Sequence, residues 1–248
     1  MVAALIKASV GDAVLTFMWV FCASSLGALT YVVSSALGVA PGLPSLFITT
    51  FLIFILLFIF GFLGDLLGGA SFNPTGTAAF YAAGLGGADS LFSASVRFPA
   101  QAAGAVGGAV AIIEAMPVQY KHMLGGPSLK VDTNTGAIAE GVLTFLMTLA
   151  VLFIIIKGPK SMFVKNWMLA ISTVSLVVAG TTYTGPSMNP ANVSIWVGLC
   201  KQYTQYLGAF PCVLDQPLCR SNTVCLGFPF SMSSTPEEEE SLKAIFNH

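Results

Sequence analysis

The chain is 248 residues long, 55% hydrophobic and only 8% charged, with a formal net charge of −1. A soluble domain could not cover its surface with so few charges, because roughly 25% is usual. A near-neutral balance also supplies no basic footprint for nucleic acid.

No Asp, Glu, Lys or Arg lies between Asp12 and Asp65, and the stretches Phe98 to Ile113, Gly141 to Ile156 and Asn166 to Cys200 are uncharged too. A spanning helix needs about 20 mostly apolar residues. These windows predict five spans, at about 10–36, 45–66, 91–115, 136–157 and 163–184. The first has Lys7 and Asp12 ahead of an apolar stretch longer than a signal-peptide core, and so reads as a span rather than a cleavable leader. After the second span, Asn73-Pro74 opens an apolar segment too short to cross, and Asn189-Pro190 opens another after the fifth. On the third span, Gly104 and Gly108 form a small-xxx-small pair, a mark of close helix packing. Alternating spans put Lys7, Arg97, Lys157, Lys160 and Lys165 on one side, leaving Lys121 and Lys130 in the loop between spans three and four. The positive-inside rule makes the first side cytoplasmic, with the N-terminus.

The chain also repeats itself. Asp12-Ala13-Val14-Leu15-Thr16-Phe17 is echoed by Glu140-Gly141-Val142-Leu143-Thr144-Phe145. Later in each half comes a turn ending in Asn-Pro: Ser71-Phe72-Asn73-Pro74-Thr75 and Ser187-Met188-Asn189-Pro190-Ala191. Three spans per half would invert the second copy across the membrane. Inverted repeats with interrupted helices place a functional site near the bilayer midplane.

Asn is a strong N-cap and Pro is favoured at the first helical position, so each pair should start a short helix. Non-helical backbone at membrane depth must be buried in protein or line a cavity. Two re-entrant half-helices from inverted halves would point their positive ends at one another. The Asn amides would donate into the gap, where a small neutral molecule could shed hydration while a cation is repelled. One Asn-Pro is an ordinary turn; two at matching places in a repeat point to a pore. Asp12 and Glu140 lie within spans, where an ionisable group usually pairs inside the bundle. No nucleophile–base pair, metal-ligand cluster or nucleotide loop stands out, so an enzyme, a metal and a cofactor are not expected. Of the five cysteines, Cys22 lies in an apolar helix and reads as packing, and the other four read as incidental thiols.

The runs Gly69-Ala70-Ser71-Phe72-Asn73-Pro74-Thr75-Gly76-Thr77-Ala78-Ala79 and Tyr183-Thr184-Gly185-Pro186-Ser187-Met188-Asn189-Pro190-Ala191-Asn192 resemble the two motifs of the aquaporin, or major intrinsic protein, family, and most closely its plant small basic intrinsic protein branch. The resemblance covers residues 5 to 192. It implies an all-α transmembrane, inverted-repeat bundle with two re-entrant half-helices, passing water or small neutral solutes across the lipid bilayer. It further implies a homotetramer, or a hetero-oligomer with related channels, in the endoplasmic reticulum membrane. By position, the pore motifs are Asn73, Pro74, Thr75, Asn189, Pro190 and Ala191. The narrow filter is Ile53, Val177, Pro186 and Asn192, and Asp12 and Glu140 are the carboxylates that hold loop backbone in place. Most of the family carries Arg where this chain has Asn192, so the resemblance implies an apolar filter with a weaker barrier to cations.

Beyond Asn192 the resemblance stops, which divides the chain into an aquaporin-like membrane domain, 1–192, and a divergent tail, 193–248. Tyr206 to Leu214 contains Pro211 and stops at Asp215, and Val224 to Met232 contains Pro229. Neither segment reaches spanning length, so a sixth span is expected to be missing or atypical. Four consecutive Glu (237–240) mark a solvated, partly disordered end. Two readings follow: a channel impaired by its C-terminus, or a non-conducting family member that modulates assembly or trafficking of complete subunits.

Overall fold

The computed structural model describes residues 2–85 and 91–192. Within them the chain is helical, without a strand. Its helices are α1 (Val2–Ser24), α2 (Leu26–Ala36), α3 (Leu43–Leu66), α4 (Pro74–Ala82), α5 (Leu91–Ala115), α6 (Thr133–Lys157) and α7 (Met162–Gly180), with a 3-10 segment at Val118–Met123. Five helices of the described residues are long and apolar enough to span: Ala3–Ser24, Leu43–Leu66, Phe92–Ala115, Thr133–Lys157 and Met162–Gly180. The expected tail, its cysteines and the question of a sixth span fall at 193–248, outside the described residues.

Two expectations are corrected. The first span, expected at 10–36, begins at Val2 and breaks at Ser25. There the Ser25 hydroxyl donates to the Cys22 carbonyl at 2.7 Å, and the Ser25 N–H turns to the same carbonyl at 3.2 Å. A side chain inserted into the ladder bends a helix in this way. The fifth span, expected to reach 184, ends at Gly180, whose carbonyl accepts from the N–H groups of Tyr183, Thr184 and Gly185. Arg97, assigned by the sequence only to a side of the membrane, is 5% exposed and ion-paired with Asp12.

Helix α1 packs chiefly on α5, and α3 on α7. The first contact depends on the glycine pair. A Cβ on Gly104 would run into the Ala13 carbonyl, and one on Gly108 into that of Phe17. With no side chain there, the backbones of α1 and α5 touch. Val20, Ala105 and Ala109 bury beside this contact together with Ala191, the helical residue that directly follows the second Asn-Pro. On the other side, Ile53 and Phe54 of α3 pack with Ala170 and Val174 of α7, and Trp167 leans on them. The outward faces of α3 (Phe47, Phe51, Phe58, Phe62) and α6 (Phe145, Leu149, Phe153) are exposed and apolar, as a helix facing lipid requires.

The loop between α5 and α6 ties both halves together. The Ser24 carbonyl, beside the break in the first span, accepts from the Gly125 N–H at 2.9 Å. Further on, the N–H groups of Ser128 and Lys130 donate to the carbonyls of Thr184 and Tyr183, each at 2.8 Å. Asp132 then caps α6 by accepting from the Thr135 N–H at 3.1 Å. Hydrogen bonds from Thr135 hold the Asp132 carboxyl below its ordinary value.

Candidate functional site: two re-entrant turns

The first turn leaves α3 through Gly68 and Gly69, at φ 79° and 82°. Both lie in the left-handed region that glycine adopts without a side-chain clash. Asn73 follows in extended conformation, and its Oδ1 accepts from the Thr75 N–H at 3.0 Å. Pro74 occupies the first helical position of the nine-residue α4. The second turn repeats this: Asn189 Oδ1 accepts from the Ala191 N–H at 3.1 Å, and helical backbone starts at Pro190. Here Met188 has φ 50°, uncommon for a residue with a side chain. That twist sends its N–H to Glu140 and its carbonyl to Asn73.

The two turns meet. Asn73 Nδ2 donates to the Met188 carbonyl at 3.2 Å, and Asn189 Nδ2 donates to the Phe72 carbonyl at 2.9 Å. Each Asn thus bonds the residue that precedes the other. An amide nitrogen carries two hydrogens. The expectation that both amides simply face a gap is therefore refined: one N–H of each latches the opposite turn, leaving one. Trp19 stacks on Phe72 with ring centroids 4.0 Å apart and meets Phe60 edge-on at 5.3 Å, which fixes the first turn from α1.

A carboxylate supports each turn. Asp12 is fully buried and accepts from the Ser71 N–H at 2.8 Å. Glu140 accepts from the N–H groups of Ser187 at 3.1 Å and Met188 at 2.8 Å, and from the Thr184 hydroxyl at 2.9 Å. Around Asp12, Arg97 adds a two-pronged ion pair (Nε to Oδ2 at 2.8 Å, Nη2 to Oδ1 at 2.9 Å), and Gln101 Nε2 donates to Oδ2 at 2.8 Å.

No protein-family model matches the chain. Aquaporin SIP1-1 of Oryza sativa subsp. japonica is 61% identical over 199 residues, covering 79% of this chain and 81% of that protein. Aquaporin SIP1-1 of Arabidopsis thaliana is 50% identical over 196 residues, covering 77% and 78%. This chain belongs to the aquaporin family, in its SIP1 group. The X-ray structure of the aquaglyceroporin from Plasmodium falciparum shares the fold, with a TM-score of 0.56 at 16% identity over 76% of this chain and 78% of that one. As an aquaporin, the chain is a multi-pass integral membrane channel.

The four filter positions expected for this aquaporin sit on separate elements. Ile53 on α3 is buried against Val174 of α7. Val177, half-buried, lies three residues further along α7, and Gly180 three beyond that. Pro186 is buried over Gly180, where a Cβ would strike its ring. Ile53 and Pro186 thus meet α7 at two different points, beside Val174 and Gly180, with Val177 between them along the helix. Asn192 is half-buried at the end of the described residues, and its N–H bonds the Asn189 carbonyl at 3.0 Å.

Sequence reading missed Arg97, Gln101 and Trp19. Gln101 and Trp19 carry no local signature, because their partners lie 24 or more residues away. Replacing Asn73 or Asn189 with Ala is expected to cost about 0.5–2 kcal/mol as a lost cap. The cross-turn bond would be lost as well. Thermal unfolding in detergent, against the unaltered channel, measures the sum; an unchanged midpoint would contradict the capping role.

Proposed function

We propose that this channel passes water or small neutral solutes between the two Asn-Pro turns. The reciprocal bonds, from Asn73 to the Met188 carbonyl and from Asn189 to the Phe72 carbonyl, carry the reading, because they hold two helix starts against each other. Pro74 and Pro190 set the first helical residues, and Thr75 and Ala191 supply the N–H groups that orient the Asn side chains. The second N–H of each amide then donates to the passing molecule. The positive helix ends raise the energy of a cation at the same point. Ile53, Val177, Pro186 and Asn192 form the narrow filter. It lacks a guanidinium, so charge exclusion rests on the half-helices.

The domain 1–192 carries this pathway and 193–248 is a divergent tail. The same reading takes it to the endoplasmic reticulum membrane, as a homotetramer or with related channels, on its resemblance to the small basic intrinsic protein branch. It is read as a channel and not an enzyme, which its aquaporin-named relatives support. Relatives that are themselves named aquaporins support conduction over a non-conducting modulator.

Water flux into proteoliposomes tests the reading. Purified, folded chain should shrink vesicles under osmotic load faster than protein-free vesicles do, and Asn189→Ala should lower that rate. A rate equal to that of protein-free vesicles, from protein shown to be folded, would overturn the proposal.

A further inference from the structure

The two halves hold their turns with acids of different length. Glu140 reaches two backbone N–H groups and the Thr184 hydroxyl by itself. Asp12 is one methylene shorter and takes a single backbone N–H of its turn, that of Ser71. The remaining grip on the first turn comes from α5. Arg97 pairs with both Asp12 oxygens and also donates from Nη2 to the Gly69 carbonyl at 3.2 Å. One helical turn on, fully buried Gln101 shares the two hydrogens of Nε2 among Asp12 Oδ2 at 2.8 Å, the Ser71 carbonyl at 3.2 Å and the Thr77 hydroxyl at 3.3 Å. Gly69 enters the turn, Ser71 shapes it and Thr77 lies in α4, so all three stages are bonded to α5. The Gln101 Oε1 is buried with no hydrogen-bond partner among the described residues. The amide is thus turned so that its donor end faces Asp12 and the turn.

We propose that Arg97 is the positioning residue of the first pore turn. Its guanidinium neutralises the buried Asp12 and, with Gln101, extends the reach of that short acid to Gly69, Ser71 and Thr77. Among the described residues, the second turn is held by the longer Glu140 without a counterpart of the Arg97–Gln101 pair. The proposal deepens the channel reading and rests on it only for what the turn is used for.

Hydrogen exchange on the full chain in lipid nanodiscs tests it, comparing the segment 69–82 with the segment 184–191. In Arg97→Met, exchange in 69–82 should rise by about tenfold while 184–191 stays as in the unaltered protein. Arg97→Lys keeps the charge but loses the planar fork, and should fall between the two. The pair Asp12→Asn with Arg97→Gln removes both charges together and should disturb 69–82 less than Arg97→Met does. Unchanged exchange at 69–82 in folded Arg97→Met, or equal loosening of both segments, would overturn the proposal. If Arg97→Met does not fold, Arg97→Lys decides on the same two segments: selective loosening of 69–82 supports the proposal, and none or equal loosening overturns it. Absence of water flux from the unaltered chain would count against the channel reading alone, because the exchange pattern is read independently of flux.

Discussion

Asp12→Ala should be among the most damaging single substitutions in the chain, costing about 3–5 kcal/mol. The carboxylate is fully buried, and its removal leaves the Arg97 guanidinium in the bundle without its acid. Breaking a buried pair from one side costs more than the pair contributes, because the surviving charge has lost its solvent and its partner. The Ser71 N–H and the Gln101 amide lose an acceptor at the same moment. Asp12→Asn keeps the shape and one acceptor oxygen, and should be the milder change. Thermal unfolding and the fraction of monodisperse protein on size exclusion give the ranking. An Asp12→Ala protein as stable as the unaltered one would show that the buried network contributes little.

The second large effect is expected at the glycine contact between α1 and α5. Gly104→Leu or Gly108→Leu should cost about 1–3 kcal/mol or more, as overpacking of a fixed core does. At both positions the first added carbon meets backbone carbonyl, of Ala13 and Phe17, so no rotamer change relieves it. The helices must separate, and Arg97 would move away from Asp12 with them. Two controls sharpen the test. At Gly107 the nearest atoms belong to the Phe17 ring, and at Gly141 nothing lies within 4 Å. Gly107→Ala should therefore cost less than Gly104→Ala, and Gly141→Ala should be neutral or stabilising by up to about 1 kcal/mol. Equal effects at Gly104 and Gly141 would remove the close-contact argument.

Much of this arrangement is legible in the sequence because it repeats. The echo of Asp12 in Glu140 and of Asn73-Pro74 in Asn189-Pro190 marks the supporting acids and the half-helix starts. Gly104 and Gly108 mark their contact by spacing alone. The burial of Arg97 is not legible, because charge asymmetry only assigns a residue to a side of the membrane by its place along the chain. It is blind to a carboxylate 85 residues away that can draw a cation inward. The break at Ser25 was equally hidden, since an apolar window records hydropathy and not which carbonyl a hydroxyl takes. Trp19 looked like one more apolar residue of a span until its stacking on Phe72 placed it beneath the first turn.

The reciprocal bonds between the turns also impose an order on biosynthesis. Asn73 Nδ2 and its acceptor, the Met188 carbonyl, are 115 residues apart. At a synthesis rate of roughly 5–20 residues per second, the first turn waits about 6–23 seconds for its counterpart. During that interval α5, α6 and α7 are made, while the Phe72 carbonyl and the Asn73 amide lack the partners they will have. Within the membrane such groups cannot turn to water for substitutes. The grip of Asp12, Arg97 and Gln101 is made by α1 and α5 alone, so it is available for most of that wait. The first half of the channel therefore carries its own scaffold, and the second half closes onto a turn that is already shaped.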